Sequence, residues 1–299
     1  MIAADINTAV SLLRQGKLIG LPTETVYGLA ADAKNLLAVK KVFAAKGRPV
    51  DHPLIVHIGR VEELSKWARD IPPEAYRLAK QYWPGPLTLV LQKQDWVLPE
   101  VTGGQDTVAI RMPNHPLALE LLRAFGSGLV APSANQFGRI SPTDEAAVLA
   151  ELADKVDLIL PGGRSTIGIE STILDLHQKP YTLLRQGMLS QAELENFLGE
   201  PILLPSEKTT VRVPGLLASH YSPRTPLKLF DLKELNRFEK QCVMVILCDS
   251  TPEVYAHELY AALRAADQGQ YDLILVERPP QTPEWVAIQD RLKRAASVA

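Results

Sequence analysis

The chain has 299 residues, a length typical of about two domains, and carries 32 Lys and Arg against 34 Asp and Glu. The resulting net charge of −2 excludes a bulk attraction to nucleic acid or to an anionic membrane. An apolar content of 46% excludes a disordered chain, and no apolar stretch reaches the ~18 residues that a membrane span requires.

Residues 1–199 alternate short apolar runs with amphipathic segments, a pattern typical of an α/β domain. We predict strands at 18–21, 54–58, 87–92, 108–111, 129–131, 156–160, 171–176 and 181–185. We predict helices from Leu36 to a stop at Gly47 and at 61–69, 72–82, 116–124, 142–153 and 191–198. The predicted fold is a large, twisted, mixed sheet with flanking helices.

Capping signals predict the starts of two of these helices. Ser190 and Glu193 form a capping box before the helix that ends at Gly199. Ser141, with a proline after it and Asp144 three positions on, predicts the start of the helix at 142–153.

Residues 200–226 show no sustained periodicity and contain five prolines. An irregular stretch of this length inside a compact chain is usually functional or disordered. We therefore predict a linker over 200–226.

Residues 227–299 follow a β-α-β-α-β-α order. The strands are predicted at 227–230, 242–248 and 272–277, and the helices begin near Asp231, Thr251 and Thr282. This pattern predicts a small, parallel, Rossmann-like α/β domain, but no dinucleotide site, because the first turn lacks glycines. Cys242 and Cys248 share one apolar stretch, and the amino terminus has no signal-like segment, so we expect buried, reduced thiols in a cytoplasmic protein.

Two loops near the amino terminus carry polar groups that packing does not require. Residues 22–28 follow a buried strand and hold two threonines, Glu24 and Tyr27. They could bind a polar ligand, or they could simply form a turn that caps the next helix. Lys46 and Arg48, one glycine apart, suit a polyphosphate; the alternative is favourable charge at a helix carboxyl terminus.

Other polar residues lie at strand ends. His57 interrupts an apolar strand, where a histidine is more often a core residue than a ligand. The small residues of 131–135, with the polar segment 138–143 after them, could cradle a phosphate through backbone N–H groups. Arg111 and Arg185 add two cations at strand ends.

Three common kinds of catalytic motif are missing from the sequence: the His-Glu-x-x-His zinc motif, cysteine pairs at metal spacing, and the Gly-x-Ser-x-Gly nucleophile turn. We therefore expect no protein metal site and no protein nucleophile. Hydroxyls, amides and cations suit phosphoryl or nucleotidyl transfer, where charge neutralisation and alignment do most of the work. The residues alone support an α/β enzyme that binds an anion.

Taken in order, the polar segments resemble the signatures of the threonylcarbamoyl-AMP synthase family in its long, two-domain form with a YrdC-type catalytic domain. The resemblance covers about residues 5–226 and rests on segments 23–29, 46–49, 53–57, 83–88, 109–113, 132–135, 170–173, 185–187 and 220–223. It implies catalytic, linker and small carboxyl-terminal parts at 1–199, 200–226 and 227–299.

The family makes threonylcarbamoyl-AMP and pyrophosphate from L-threonine, bicarbonate or CO2, and ATP. A separate transferase then uses the product to modify tRNA next to the anticodon. The resemblance implies ATP contacts from Lys46, Arg48, His52, Thr107, Asn135, Thr143, Arg185 and Tyr221. It implies L-threonine contacts from Thr25, His57, Arg111, Ser133 and Ser171.

For the chemistry, we expect Lys46 and Arg48 to neutralise charge at the phosphates, with Mg2+ held mainly by the nucleotide. Because water destroys the mixed anhydride product, we expect His220 and Tyr221 to form a lid. The role of Glu24 stays open. His52 and Phe137 depart from the residues usual in the family.

Two alternatives predict different partners. A module that binds double-stranded RNA or tRNA without catalysis is disfavoured by the net charge and the lack of a basic run, which leave room only for a weak tRNA contact. A carbamoyl transferase would need acylphosphatase and zinc-finger segments, which the sequence lacks.

Overall fold

The computed structural model describes residues 2–3, 5–207, 209–215, 220–238 and 242–296. Positions 208 and 216–219 of the predicted linker lie outside the described residues.

Nine strands of the described chain form one mixed sheet in the order β7-β1-β2-β6-β3-β5-β4-β8-β9. The strands are β1 Ile19–Leu21, β2 Gly28–Asp32, β3 Ile55–His57, β4 Leu87–Gln92, β5 Thr107–Arg111, β6 Leu129–Val130, β7 Leu158–Ile159, β8 Thr172–Asp175 and β9 Thr182–Arg185. The sheet contains both parallel pairs, such as β3–β5, and antiparallel pairs, such as β4–β5. The predicted mixed sheet is confirmed.

Helices flank this sheet on both faces. They are α1 Ile6–Arg14, α2 Leu36–Lys46, α3 Leu64–Trp67, α4 Pro73–Tyr82, α5 Pro99–Thr102, α6 Pro116–Phe125, α7 Glu145–Leu152 and α8 Gln191–Leu198. Two separate apolar clusters result, one between the sheet and α2 and α4, the other between the sheet and α1 and α6.

Local sequence signals set most helix ends. Asn35 caps α2, which ends at Gly47 with φ of 62°, and Ser190 caps α8 by accepting from the Glu193 N–H. The predicted start of α7 is wrong: Asp144 caps a helix that begins at Glu145. The Ser141 hydroxyl instead donates to Glu170 Oε1 at 2.7 Å, because a buried carboxylate is the stronger acceptor.

A second sheet has three parallel strands, as predicted, and their order is β10-β12-β11. Its elements are β10 Leu227–Phe230, β11 Val243–Ile246 and β12 Leu273–Glu277, with helices α9 Pro252–Gln268 and α10 Val286–Ala296. The segment predicted as a helix from Asp231 is a 3-10 helix, Leu232–Phe238. The expected burial of both cysteines is wrong: Cys242 is exposed and Cys248 half-buried, since they flank an edge strand.

The two sheets are joined by a shared apolar cluster. Ile140, Ile169 and Tyr221 pack with side chains of α9 and α10, among them Tyr260 and Ile288. None of the described helices is long and apolar enough to cross a membrane.

Candidate active site

A buried cavity lies on one face of the nine-stranded sheet. Ile55 and His57 are two residues apart on β3, so their side chains share a face, and Arg111 on β5 is in register with His57. Val213 of the linker covers the same face, packing with Ile55 and Ala109. The cavity therefore has the sheet as its floor and the linker as part of its roof.

The cavity brings together residues from eight separate chain segments. Its lining consists of Thr23, Thr25, Val26, Arg48, Ile55, His57, Arg111, Ala131, Pro132, Ser133, Glu170, Ser171, Arg185, Pro214, Gly215, His220 and Tyr221. The open space measures about 50 Å3, enough for a few water molecules.

All five residues predicted to contact L-threonine lie in this lining: Thr25, His57, Arg111, Ser133 and Ser171. Arg111 is tied in place by three groups. Its Nη1 donates to Thr25 Oγ1 at 2.8 Å, its Nε donates to the Gly85 oxygen at 3.2 Å, and its Nη2 lies 2.8 Å from Glu24 Oε1. Glu24, whose role the sequence left open, is thus the ion-pair partner of Arg111.

The residues predicted to contact ATP divide into three groups. Arg48, Arg185 and Tyr221 line the cavity. His52 lines a second cavity of about 340 Å3, which adjoins the first at Gly215. The remaining residues are in neither lining: Lys46, Thr107, Asn135 and Thr143.

Lys46 and Asn135 support the cavity wall from behind. The Lys46 ammonium donates to the backbone oxygens of Ser133 and Asn135, the latter at 2.6 Å. The Asn135 amide in turn donates to the oxygens of Gln136 and Arg139. These bonds hold the loop after β6 in the shape that presents Ser133 to the cavity. Thr107 lies at the opposite end of β5 from Arg111.

The linker is held against the cavity by Arg185. Its Nη1 donates to the Pro214 oxygen at 3.1 Å, while its Nε and Nη2 donate to the backbone oxygen and hydroxyl of Ser171. A methyl group added at Gly215 would lie 2.3 Å from the Tyr221 hydroxyl, so Gly215 packs closely on Tyr221. The His220 ring packs edge to face on the Tyr221 ring, with 4.1 Å between the ring centroids.

The electrostatics of the cavity favour an anion. Burial lowers the pKa of Arg48 to about 10 and also lowers the pKa of Arg185. Burial, followed by the nearby charge of Arg48, holds the pKa of Lys46 well below its ordinary value. A negative ligand would offset both the mutual repulsion and the lost hydration of these cations.

The two buried histidines are neutral. Burial lowers the pKa of both His57 and His220 to about 3, assisted by neighbouring cations. His57 Nδ1 lies 3.2 Å from the Ile55 oxygen. Since a carbonyl only accepts, Nδ1 carries the proton and Nε2 is a hydrogen-bond acceptor.

Glu170 is a lining residue that the sequence reasoning did not assign. Burial would raise its pKa, but Arg291 and Arg185 outweigh that effect and lower it to about 2. Its position beside Ser171 in a polar motif was the available signal. No group of three or more His, Cys, Asp or Glu in the described part of the chain is arranged to hold a metal ion.

Two family descriptions together match almost the whole chain. The Sua5/YciO/YrdC family, described as "Telomere recombination", matches residues 11–187. "Threonylcarbamoyl-AMP synthase, C-terminal domain" matches residues 189–297.

Individual relatives share this range. The threonylcarbamoyl-AMP synthase of Pyrococcus abyssi is 40% identical over 97% of this chain and 94% of its own length. That of Bacillus subtilis is 38% identical over 98% and 93%, respectively.

Solved structures match as well. The crystal structure of P. abyssi Sua5 complexed with L-threonine superposes with a TM-score of 0.90 at 40% identity, covering 97% of this chain and 94% of that one. A P. abyssi Sua5 variant in which a His and a Tyr are both replaced by Ala gives the same TM-score at 37% identity, covering 99% and 95%.

Proposed function

The chain belongs to the threonylcarbamoyl-AMP synthase family, and we propose that it forms threonylcarbamoyl-AMP and pyrophosphate from L-threonine, CO2 or bicarbonate, and ATP. The observation that carries the proposal is the convergence of Arg48, Arg111 and Arg185 with five hydroxyl-bearing residues in one buried cavity. Its cations suit the phosphates of ATP beside the carboxylate of L-threonine, and the side chains around the open space of about 50 Å3 must move apart to admit them.

L-Threonine binds in the half of the cavity that surrounds Arg111. The guanidinium suits a carboxylate, the Thr25 hydroxyl lies 2.8 Å from it, and the Ser171 hydroxyl lines the same cavity. His57 Nε2 accepts a hydrogen bond from the ammonium or hydroxyl of threonine. Because His57 stays neutral, it adds no charge to compete with Arg111.

ATP binds in the other half of the cavity, which contains Arg48 and Arg185. Arg48 and Arg185 face the phosphates, and the nucleoside extends toward the second cavity, where His52 lies. The unpaired Nε of Arg48 is buried with no partner among the described residues, which supports a ligand contact there. Lys46 acts through the Ser133 loop, a role distinct from the direct phosphate contact that the sequence suggested.

The reaction balances in two steps. The threonine ammonium first loses a proton to water, and the resulting amine attacks the carbon of CO2 and loses a second proton, giving a carbamate. Starting from bicarbonate, that second proton leaves with the displaced hydroxide as water. A carbamate oxygen then attacks the α-phosphorus of ATP, the bond from that phosphorus to the bridging oxygen breaks, and pyrophosphate leaves. Arg48 and Arg185 stabilise the charge that develops on the phosphates.

Mg2+ enters with ATP as part of the substrate. Glu170, the carboxylate in the cavity lining, is already engaged by Ser141, Tyr260 and Arg291. These residues do not fit a magnesium site, and we assign the ion to the phosphates alone.

His220 and Tyr221 act as a lid. Both line the cavity, and its open space is far smaller than that of the adjoining cavity. The lid protects a product that water destroys. That product must be consumed by a transferase acting on the tRNA adenosine.

The test is pyrophosphate release by the purified full chain with ATP and bicarbonate, with and without L-threonine. We expect release to depend on threonine, and Arg48→Ala to lower the rate at least 100-fold. Arg69→Ala, an exposed arginine paired with Asp95, is the matched control and should retain the wild-type rate. Pyrophosphate release at the same rate with and without L-threonine would overturn the proposal. So would a wild-type rate in Arg48→Ala.

A further inference from the structure

Tyr221 is held from behind by the two helices of the carboxyl-terminal part. Its ring stacks on the Tyr260 ring of α9, with 5.7 Å between centroids and 26° between planes. The guanidinium carbon of Arg291 on α10 lies 5.4 Å from the centre of the same ring. Neither Tyr260 nor Arg291 lines the cavity.

Both of these residues are fixed by the carboxylate of Glu170. The Tyr260 hydroxyl donates to Glu170 Oε2 at 2.9 Å, and Arg291 Nε donates to the same oxygen at 2.8 Å. Arg291 Nη2 also donates to the Gln186 oxygen at 2.9 Å. One carboxylate in the cavity wall therefore orients both groups that pack on Tyr221.

The cluster of Glu170, Tyr260 and Arg291 is buried, and burial makes the loss of any one partner costly. The Arg291 side chain is fully buried and that of Glu170 is 8% exposed. A buried ion pair loses most when one partner is removed, because the other charge is left without hydration or a counter-charge. These contacts fix the positions of Tyr260 and Arg291, and thereby the position of the Tyr221 ring that packs against both.

We propose that Arg291 and Tyr260 are positioning residues that hold Tyr221 over the cavity through their shared contact with Glu170. The carboxyl-terminal helices thereby keep water from the anhydride formed in the amino-terminal part. This inference rests on the proposed function, since it assigns a task to residues outside the cavity in that same reaction.

The test separates retention of the product from the rate of its formation. In Arg291→Met and Tyr260→Leu, we expect the ratio of pyrophosphate released to threonylcarbamoyl-AMP recovered to rise at least threefold, because the anhydride is hydrolysed before release. Tyr260→Phe keeps the stacked ring and should give a smaller rise. Arg291→Lys keeps the charge and should restore part of the retention.

Arg264→Met is the matched control. Arg264 also joins the two parts, pairing with Glu151 and donating to the Ile140 oxygen, but its described contacts do not include Tyr221. The control should leave the ratio unchanged.

A double-variant cycle tests whether Arg291 acts through Tyr221. Tyr221→Ala alone should raise the ratio, and adding Arg291→Met should raise it no further. An unchanged ratio in folded Arg291→Met and Tyr260→Leu, or fully additive effects with Tyr221→Ala, would overturn the inference. If the wild type releases no pyrophosphate in response to threonine, it is the proposed function that fails instead.

Discussion

The ammonium of Lys46 donates a 2.6 Å hydrogen bond to the backbone oxygen of Asn135 and a second bond to that of Ser133. The side chain is buried behind the cavity wall. It thus joins α2 to the loop after β6, and its first effect is on the shape of that loop.

Lys46→Ala should therefore reduce both stability and activity. The substitution leaves two buried carbonyls without donors, at about 1–3 kcal/mol each, whereas Arg48→Ala removes a single donor to the Pro53 oxygen. We expect a larger fall in melting temperature for Lys46→Ala than for Arg48→Ala, measured by calorimetry. Equal melting temperatures for Lys46→Ala and the wild type would contradict this role.

Arg111 should determine threonine affinity. Arg111→Lys keeps the charge but loses the planar fork that suits a carboxylate. A lost charge-assisted hydrogen bond of about 1.5–3 kcal/mol corresponds to a KM for threonine about 10- to 100-fold higher, with the KM for ATP nearly unchanged. Arg123→Lys, outside the cavity lining, is the control. A selective rise in the KM for ATP would show that the two substrates had been placed the wrong way round.

Gly215→Ala should displace Tyr221. The new methyl group would meet the Tyr221 hydroxyl at 2.3 Å, and the glycine has φ of +88°. Gly199→Ala is a matched control, since Gly199 has φ of +77° and nothing within 4 Å of an added methyl group. Gly199→Ala should lose about 1–2 kcal/mol of stability because of its positive φ. Gly215→Ala should lose more because of the close contact, and only Gly215→Ala should lose product retention. Equal retention in the two variants would count against the lid.

Stability should decline as pH falls below about 6.5. The pKa of His220 is about 3 in the folded chain and about 6.5 when unfolded, so the unfolded state binds more protons between these values. From pH 7.5 to 5, this one residue should cost about 2 kcal/mol of unfolding free energy. Urea denaturation of His220→Gln should show a correspondingly weaker pH dependence. If the unfolding free energy depends on pH equally in the wild type and in His220→Gln, the low pKa of folded His220 is refuted.

The sequence predicted elements with strong apolar patterns and missed those defined by burial alone. β4 was predicted over the whole of Leu87–Gln92, where β-branched and leucine residues alternate with little ambiguity. β2, Gly28–Asp32, was missed because its small residues have low strand propensity. It forms because β1 and β6 pair with it on either side.

The five residues predicted from motifs to contact L-threonine all line the cavity, whereas the contacts behind Tyr221 were not foreseen. Arg291 lies on the buried face of α10 with Ile288 and Leu292. A charged residue at an apolar position of the helical pattern could have indicated a buried ion pair. Its partner Glu170 lies 121 positions away. Only tertiary structure pairs the two, since local spacing carries no information about such a distance.

The central claim is that one cavity grips ATP beside L-threonine. A crystal structure of the full chain with L-threonine and a non-hydrolysable ATP analogue tests it most directly. We predict the threonine carboxylate on Arg111, the phosphates on Arg48 and Arg185, and Tyr221 closed over both. Ligands bound on separate faces of the sheet, or phosphates away from both of these arginines, would contradict the claim.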